Sequence, residues 1–429
     1  MAFQPVYVVD GARTPFLKAK GAPGLFAASD LAVQAGRSLL TRQPFAPSDL
    51  DEVILGCAAP SPDETNIGRM VALRLGCGKK VPGWTVMRNC ASGMQAIDSA
   101  IANILCGRSQ LVLAGGVDAL SRAPLLYSDA MVRWFAGMMA LKTPAAKLRH
   151  FLRLRPAALL SPVIGLMKGL TDPVVGLLMG QTAENLAWRF GVSRRQMDEY
   201  AVQSHQRALA ARAAGHFAEI VPVVDGSGAV YPEDDGVRAD ASLEGMAKLK
   251  PFFDKPYGAV TAANSSQITD GAAWLLLASD AAVRRWNLKT LGRIVDSHWA
   301  GLDPAQMGLG PVHASTPLLA RNGLALRDVA AWELNEAFAA QVLGCLAAWE
   351  SDEACRQELG LPEALGALDP ERLNVDGGAI ALGHPVGASG ARIVLHLLHV
   401  LRRRGGGRGI ASLCIGGGLG GAMLVEATP

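Results

Sequence analysis

The sequence predicts an α/β protein built from two similar halves, and three observations carry that reading. Two stretches far apart in the chain repeat one order of elements: strand, glycine-rich turn, apolar-patterned helix, strand. Glycine is frequent, at 48 residues, and many of these cluster where predicted strands end and the chain must turn tightly. With 429 residues, half of them hydrophobic, the chain can fill more than one core.

In chain order, Val6, Val8 and Val9 mark an opening strand. Leu50-Asp51-Glu52-Val53-Ile54 then leads through a turn to the strand-like Gly83-Trp84-Thr85-Val86-Met87. A loop holding Cys90 follows, then a helix pattern (Met94, Ile97, Ile101, Leu105) and the strand Leu111 to Gly116. In the second copy, Leu326 to Ala330 leads to Trp332-Glu333-Leu334 and later to Asn374-Val375-Asp376-Gly377-Gly378. After a loop holding His384 come Gly387-Ala388-Ser389-Gly390, the helix positions Ile393, Leu397, Val400 and Leu401, and the strand Ile410 to Leu413.

The region between the copies, from about Ser121 to Tyr257, differs from both. Residues 131–170 are rich in Met, Leu and Trp, and their charges are all basic: Arg133, Lys142, Lys147, Arg149, Arg153, Arg155 and Lys168. Wound as a helix, Lys142, Arg149 and Arg153 share one face and Leu141, Leu148 and Leu152 another, with Arg155 and Pro156 ending the pattern. Such a stretch suits an anionic membrane or an acidic partner, or else a lid that turns its basic face to phosphates. Thr182 to Ala214 reads as helical, broken at Gly191-Val192-Ser193, where Ser193 is an expected N-cap.

Composition narrows the function classes. A formal charge of +3 with 18% charged residues argues against a nucleic-acid footprint over the whole protein. Met1 to Asp10 has neither a basic lead nor an apolar signal core, so secretion is not expected, and no stretch reaches the ~18 continuous apolar residues of a membrane span. The seven cysteines are odd in number and scattered, with no Cys-x-x-Cys pair, which fits reduced thiols in a cytoplasm and no metal site.

The chemistry is expected in four segments. Cys90, in Asn89-Cys90-Ala91-Ser92-Gly93, follows a strand and precedes a helix, where the dipole and free N–H groups favour thiolate. His384, in Gly383-His384-Pro385, is framed in a loop and has a pKa suited to a base near neutral pH. Cys414 ends an apolar strand before Gly416-Gly417-Gly418. Asn335, at a strand end in Asn335-Glu336-Ala337-Phe338, can hold a water or donate to a carbonyl oxygen, with Glu336 placed to orient it. Cys57, Cys77, Cys106, Cys345 and Cys355 are expected to be buried and unreactive, and His150, His396 and His399 to lie on helix surfaces.

These four motifs, in this order across nearly the whole chain, resemble the thiolase family of coenzyme-A-dependent acyltransferases. Asp10-Gly11-Ala12-Arg13-Thr14-Pro15, Met179-Gly180-Gln181-Thr182-Ala183-Glu184-Asn185, Ala263-Asn264-Ser265-Ser266 and Met307-Gly308-Leu309-Gly310-Pro311 add to the likeness. The resemblance implies five layers, α-β-α-β-α. Residues 1–120 with 258–280 would form the N-terminal half, 121–257 an inserted loop domain and 281–429 the C-terminal half. It implies a homodimer or homotetramer, coenzyme A as substrate and no covalently bound cofactor. By motif, Cys90 takes the acyl group after activation by His384, and Cys414 moves the proton of the second substrate. Backbone N–H groups of Cys90 and Gly416 form one oxyanion hole, and His384 with a water on Asn335 the other. Ser266 lies beside the pantetheine, Met307 lines the acyl pocket, and Met179 adds to substrate binding.

Leu178 stands where short-chain biosynthetic members commonly carry histidine, and the 131–170 insert resembles the thiolase subunit of fatty-acid-oxidation complexes. That likeness favours cleavage of 3-ketoacyl-CoA, with acetyl-CoA acetyltransferase activity as the alternative, and implies a hydratase/dehydrogenase partner subunit and peripheral membrane contact through 131–170. Decarboxylating ketoacyl synthases characteristically lack the second cysteine, so Cys414 argues against them. A non-catalytic lipid- or acyl-CoA-binding relative would be expected to lose one of Cys90, His384 or Cys414, and all three are present.

Overall fold

The computed structural model describes residues 5–154, 157, 159 and 161–429. Nine strands lie edge to edge in the order Ala331–Leu334, Gly407–Ile415, Leu419–Ala427, Gly292–Gly301, Val6–Arg13, Thr269–Ser279, Leu111–Ala119, Glu52–Gly56 and Gly83–Val86. The short strand Leu17–Lys18 adds a tenth by pairing with Thr269–Ser279. The order shows the duplication. Ala331–Leu334 runs parallel to Gly407–Ile415 as Glu52–Gly56 runs parallel to Leu111–Ala119, and in each half the next two neighbours are antiparallel. The halves join where Val6–Val8 pairs with Gly292–Ile294.

Helices fill the layers that the strands leave. Ser92–Leu105 and Val386–Arg403 lie together between the two halves of the sheet, sharing one core with Val112 and Leu275 on one side and Leu413 and Val425 on the other. Each fully buried Leu, Ile or Met on this pair contributes ~1.5–3 kcal/mol relative to exposure. Outside the first half, helix Ala28–Thr41 packs Leu31 and Leu39 against Leu113 and Trp274. Outside the second, helices Gly310–Arg321 and Ala339–Glu350 pack against Trp332, Ile410 and Leu424. The result is the five-layer α-β-α-β-α arrangement. The central helices meet closely near their N-termini, where a Cβ on Gly93 would lie 2.7 Å from the Gly387 carbonyl oxygen. Only glycine permits that approach, and it draws the segments before both helices together.

The helices Met179–Arg189 and Arg194–Ala213 break where expected, with the Ser193 hydroxyl accepting from Gln196 N at 3.3 Å. The basic segment departs from the single helix that its spacing predicts. Asp129–Ala140 and Pro144–Phe151 are separate helices, because Thr143 caps the second and Pro144 starts it, leaving Lys142 in the connection. The expected stop at Arg155 and Pro156 lies outside the described residues. Cys57, Cys77, Cys345 and Cys355 are buried, whereas Cys106 is exposed at the end of the Ser92–Leu105 helix. His396 is buried, not on a helix surface, because the central helix is covered by a sheet on each side.

Candidate active site

Cys90 and His384 occupy matching places, each two residues before one of the central helices. Asn89, in the left-handed region at φ 45°, turns the chain after strand Gly83–Val86, and its Nδ2 donates to Gly416 O at 2.8 Å. That bond ties the Cys90 turn to the turn after Cys414. The Gly416 N–H faces the Cys90 sulfur; burial pushes the thiol up, and the donation from Gly416 opposes that push. Cys414 is buried at the end of strand Gly407–Ile415, and burial with the charge of the neighbouring Cys90 thiolate holds its thiol well above the ordinary value. Charge on Cys90 therefore disfavours charge on Cys414.

The state of His384 follows from its bonds. The Ser389 hydroxyl donates to Pro385 O at 3.0 Å and therefore accepts from His384 Nδ1 at 2.6 Å. Nε2 is then the unprotonated nitrogen, and it is buried without a protein partner. Burial, with the charge of Arg392 added, lowers the imidazole to about 4, so it is neutral at pH 7 and free to take a proton.

Asn335 follows strand Ala331–Leu334, its backbone N–H donating to Ser412 O at 2.9 Å beside the Cys414 strand end. Its side chain is fully buried, and neither the amide oxygen nor the nitrogen has a protein partner. An unpartnered buried amide is costly, so the site suits a water or a substrate oxygen. Glu336 makes no hydrogen bond to the Asn335 side chain. Its carboxylate is taken up by Tyr200, Ser204, Asn374 and the Ile380 N–H instead.

Cys90, His384 and Cys414 open on one cavity of about 830 Å³, which Met179, Met307 and Ser266 also line. Gly416 and Asn335 sit behind its wall: a Cβ on Gly416 would lie 3.2 Å from the Met179 sulfur. Among the described residues the basic side chains of 131–170 do not line the cavity, contrary to a lid that faces phosphates with its charges. Apolar side chains from 125–170 line it instead, namely Leu125, Ile164, Leu166, Met167 and Leu170. The lining cations are Lys18 and Arg238, close enough that Lys18 is lowered by burial and by the Arg238 charge. Sequence reasoning missed both, since single cations in loops carry no local signature. Among the described residues no group of three or more His, Cys, Asp or Glu is placed to hold a metal ion.

A thiol with its own N–H donor and an unprotonated imidazole on one cavity suit acyl transfer by way of a thioester. The family follows from comparison: residues 6–281 match the thiolase N-terminal domain and residues 288–427 the thiolase C-terminal domain, and the chain belongs to the thiolase family. It is 36% identical over 424 residues to a 3-ketoacyl-CoA thiolase of Yersinia enterocolitica, covering 98% of this chain and 96% of that one. It is 40% identical over 427 residues to a beta-ketoadipyl-CoA thiolase of Acinetobacter baylyi, covering 98% of each. Among solved structures, human mitochondrial 3-ketoacyl-CoA thiolase in complex with CoA superposes with a TM-score of 0.84 at 37% identity, covering 100% of this chain and 99% of that one. The Bacillus anthracis acetyl-CoA acetyltransferase does so with a TM-score of 0.84 at 38% identity and 99% coverage of both.

Proposed function

We propose that the protein cleaves 3-ketoacyl-CoA with coenzyme A to acetyl-CoA and a shortened acyl-CoA, as a step of fatty-acid β-oxidation. The observation that carries this is the unpartnered Nε2 of a neutral His384 on the same cavity as both Cys90 and Cys414. In this reading His384 takes the Cys90 proton and the thiolate attacks the 3-keto carbon. The bond between carbons 2 and 3 breaks, the acyl group stays on Cys90 as a thioester, and Cys414 protonates the acetyl-CoA carbanion. The coenzyme A thiol then gives its proton to the Cys414 thiolate and takes the acyl group, and His384 returns its proton to the released Cys90 thiolate. N–H groups of Cys90 and Gly416 hold one oxyanion, and His384 with a water on Asn335 the other, each donor lowering the barrier by ~3–4 kcal/mol. Ser266 and Met179 border the pantetheine arm, Met307 borders the acyl group, and Lys18 and Arg238 suit the phosphates.

The apolar wall from the insert supports an acyl chain longer than acetoacetyl. Rates of CoA-dependent cleavage from four to sixteen carbons test this: a preference for the longer substrates is expected, and activity confined to acetoacetyl-CoA would make the protein an acetyltransferase.

The finer assignments of assembly and location rest on surface features. The edge strand Gly83–Val86, flanked by Met87 at 57% exposure, supports a homodimer formed edge to edge, from which a tetramer could be built. The helix pair from Asp129 to Phe151 exposes Val132, Met139, Leu148 and Phe151 beside Arg133, Lys147 and Arg149, which supports peripheral contact with an anionic membrane. Co-sedimentation with anionic but not neutral vesicles checks it; a pull-down with a hydratase/dehydrogenase subunit and no vesicle binding would assign that face to a partner. Among the described residues no helix is long and apolar enough to cross a membrane.

A further inference from the structure

Glu336 is a buried carboxylate, 1% exposed, to which the reaction gives no step. Four neutral donors hold it: the Tyr200 hydroxyl at 3.0 Å, the Ser204 hydroxyl at 2.7 Å, Asn374 Nδ2 at 3.1 Å and Ile380 N at 3.2 Å. Tyr200 and Ser204 belong to helix Arg194–Ala213 of the insert, and the next residue, His205, lines the substrate cavity. Asn374 and Ile380, the latter in the short helix Ala379–Leu382, belong to the segment that leads to His384, and Glu336 itself follows Asn335 directly. This segment is shaped to the carboxylate: Gly378 N donates to Ser204 Oγ at 3.1 Å, and a Cβ on Gly378 would run into the Glu336 side chain.

We propose that Glu336 is the positioning residue that locks the Asn335 strand end and the His384 loop to the insert, so that the helix bounding the substrate cavity also sets both segments. The inference rests on the thiolase reading of the site. A carboxylate is the group that fits, because it is an acceptor only and offers about four lone-pair sites to four donors. The isosteric Glu336→Gln change keeps the volume but turns an NH₂ toward groups that themselves donate, so at least one arm of the clamp must open.

The test measures kcat and KM for thiolysis in wild type and Glu336→Gln, together with the pH dependence of Cys90 alkylation by iodoacetamide in the absence of substrate. The expected result is a loss in kcat on the order of 30-fold, a KM for coenzyme A within about threefold, and slower alkylation at neutral pH as His384 leaves its place. A kcat within about threefold of wild type, or a lowered kcat with an unchanged alkylation profile, overturns the proposal. Should Glu336→Gln not fold, the double variant Tyr200→Phe/Ser204→Ala takes its place. A loss in kcat of roughly tenfold is expected there, and an unchanged kcat overturns the clamp. Absence of thiolysis in wild type at every chain length would count against the thiolase reading, and the alkylation profile would still decide the clamp.

Discussion

Two histidines at opposite ends of one buried stretch of chain show what burial alone does and what pairing does. His384, just before helix Val386–Arg403, has Ser389 as its hydrogen-bond partner and only the charge of Arg392 nearby; burial and that charge lower it to about 4. His396, inside the same helix, lies between Glu219 Oε1 at 2.9 Å and Asp376 Oδ2 at 3.1 Å. Burial lowers it too, but the two carboxylates outweigh burial and hold it up to about 9. One imidazole is therefore neutral and the other charged at pH 7. Without a carboxylate partner burial leaves an imidazole neutral and able to accept a proton, whereas two carboxylates make the same side chain a fixed cation.

The sharpest break of this contrast is His384→Ala. On the proposed mechanism this change should lower kcat by ~10³-fold, within the usual range for a general base, with thermal stability little changed. The acid limb of Cys90 acylation in wild type should lie nearer pH 4 than 6.5, because the folded imidazole refuses the proton until about 4. Its contribution to stability has the matching sign. It is present above pH 6.5 and is lost as pH falls toward 4, where the unfolded chain binds the proton first. Activity surviving in the alanine variant, or an acid limb at 6.5, would end the assignment of His384 as base.

His396→Leu should do the reverse, sparing KM while lowering stability by about 3 kcal/mol, since Glu219 and Asp376 keep only Arg13, Arg403 and His216 as partners. This histidine is raised above its unfolded value, so its contribution is full below pH 6.5 and is lost as pH rises through about 9. Wild type should therefore lose denaturation midpoint across that alkaline window, and His396→Leu should not. Equal slopes in the two proteins would show that the cluster is not charged as described.

The two histidines also mark how far the sequence could be read. Strand ends, helix starts and the glycine frames around Cys90, His384 and Cys414 are local patterns, and most strands and helices fall where those patterns lie, although Asn374 to Gly378 forms a turn where its counterpart Gly83–Val86 is a strand. His396 could not be read this way, because the stripe Ile393, Leu397, Val400 and Leu401 shows one apolar face and a sequence does not show that a second sheet covers the other. Glu219 and Asp234, which meet Arg13 from the insert, are more than two hundred residues from it in the chain. Period alone places Lys142 on a helix face, because it does not weigh Thr143-Pro144 as a new start. Pairings across layers are set by topology, and local spacing carries no trace of them.

The smallest expected effect gives the finest test of the contrast. Ser389 lies one turn into the central helix and does nothing for His384 except fix which nitrogen carries the proton. In Ser389→Ala, Nδ1–H loses its acceptor and the ring can present either nitrogen to the cavity, so part of the population is in the wrong tautomer. A single neutral hydrogen bond of this kind is worth ~0.5–1.5 kcal/mol, which corresponds to a fall in kcat of up to about tenfold with KM unchanged. The imidazole should stay near 4, because burial and Arg392, not Ser389, hold it there. An NMR titration of the ring in Ser389→Ala separates the two causes. A pKa that stays low beside a reduced kcat means that the serine orients the base and burial tunes it. A pKa that rises toward 6.5 would mean that the serine had been shielding the ring from water, and that orientation and tuning are one device.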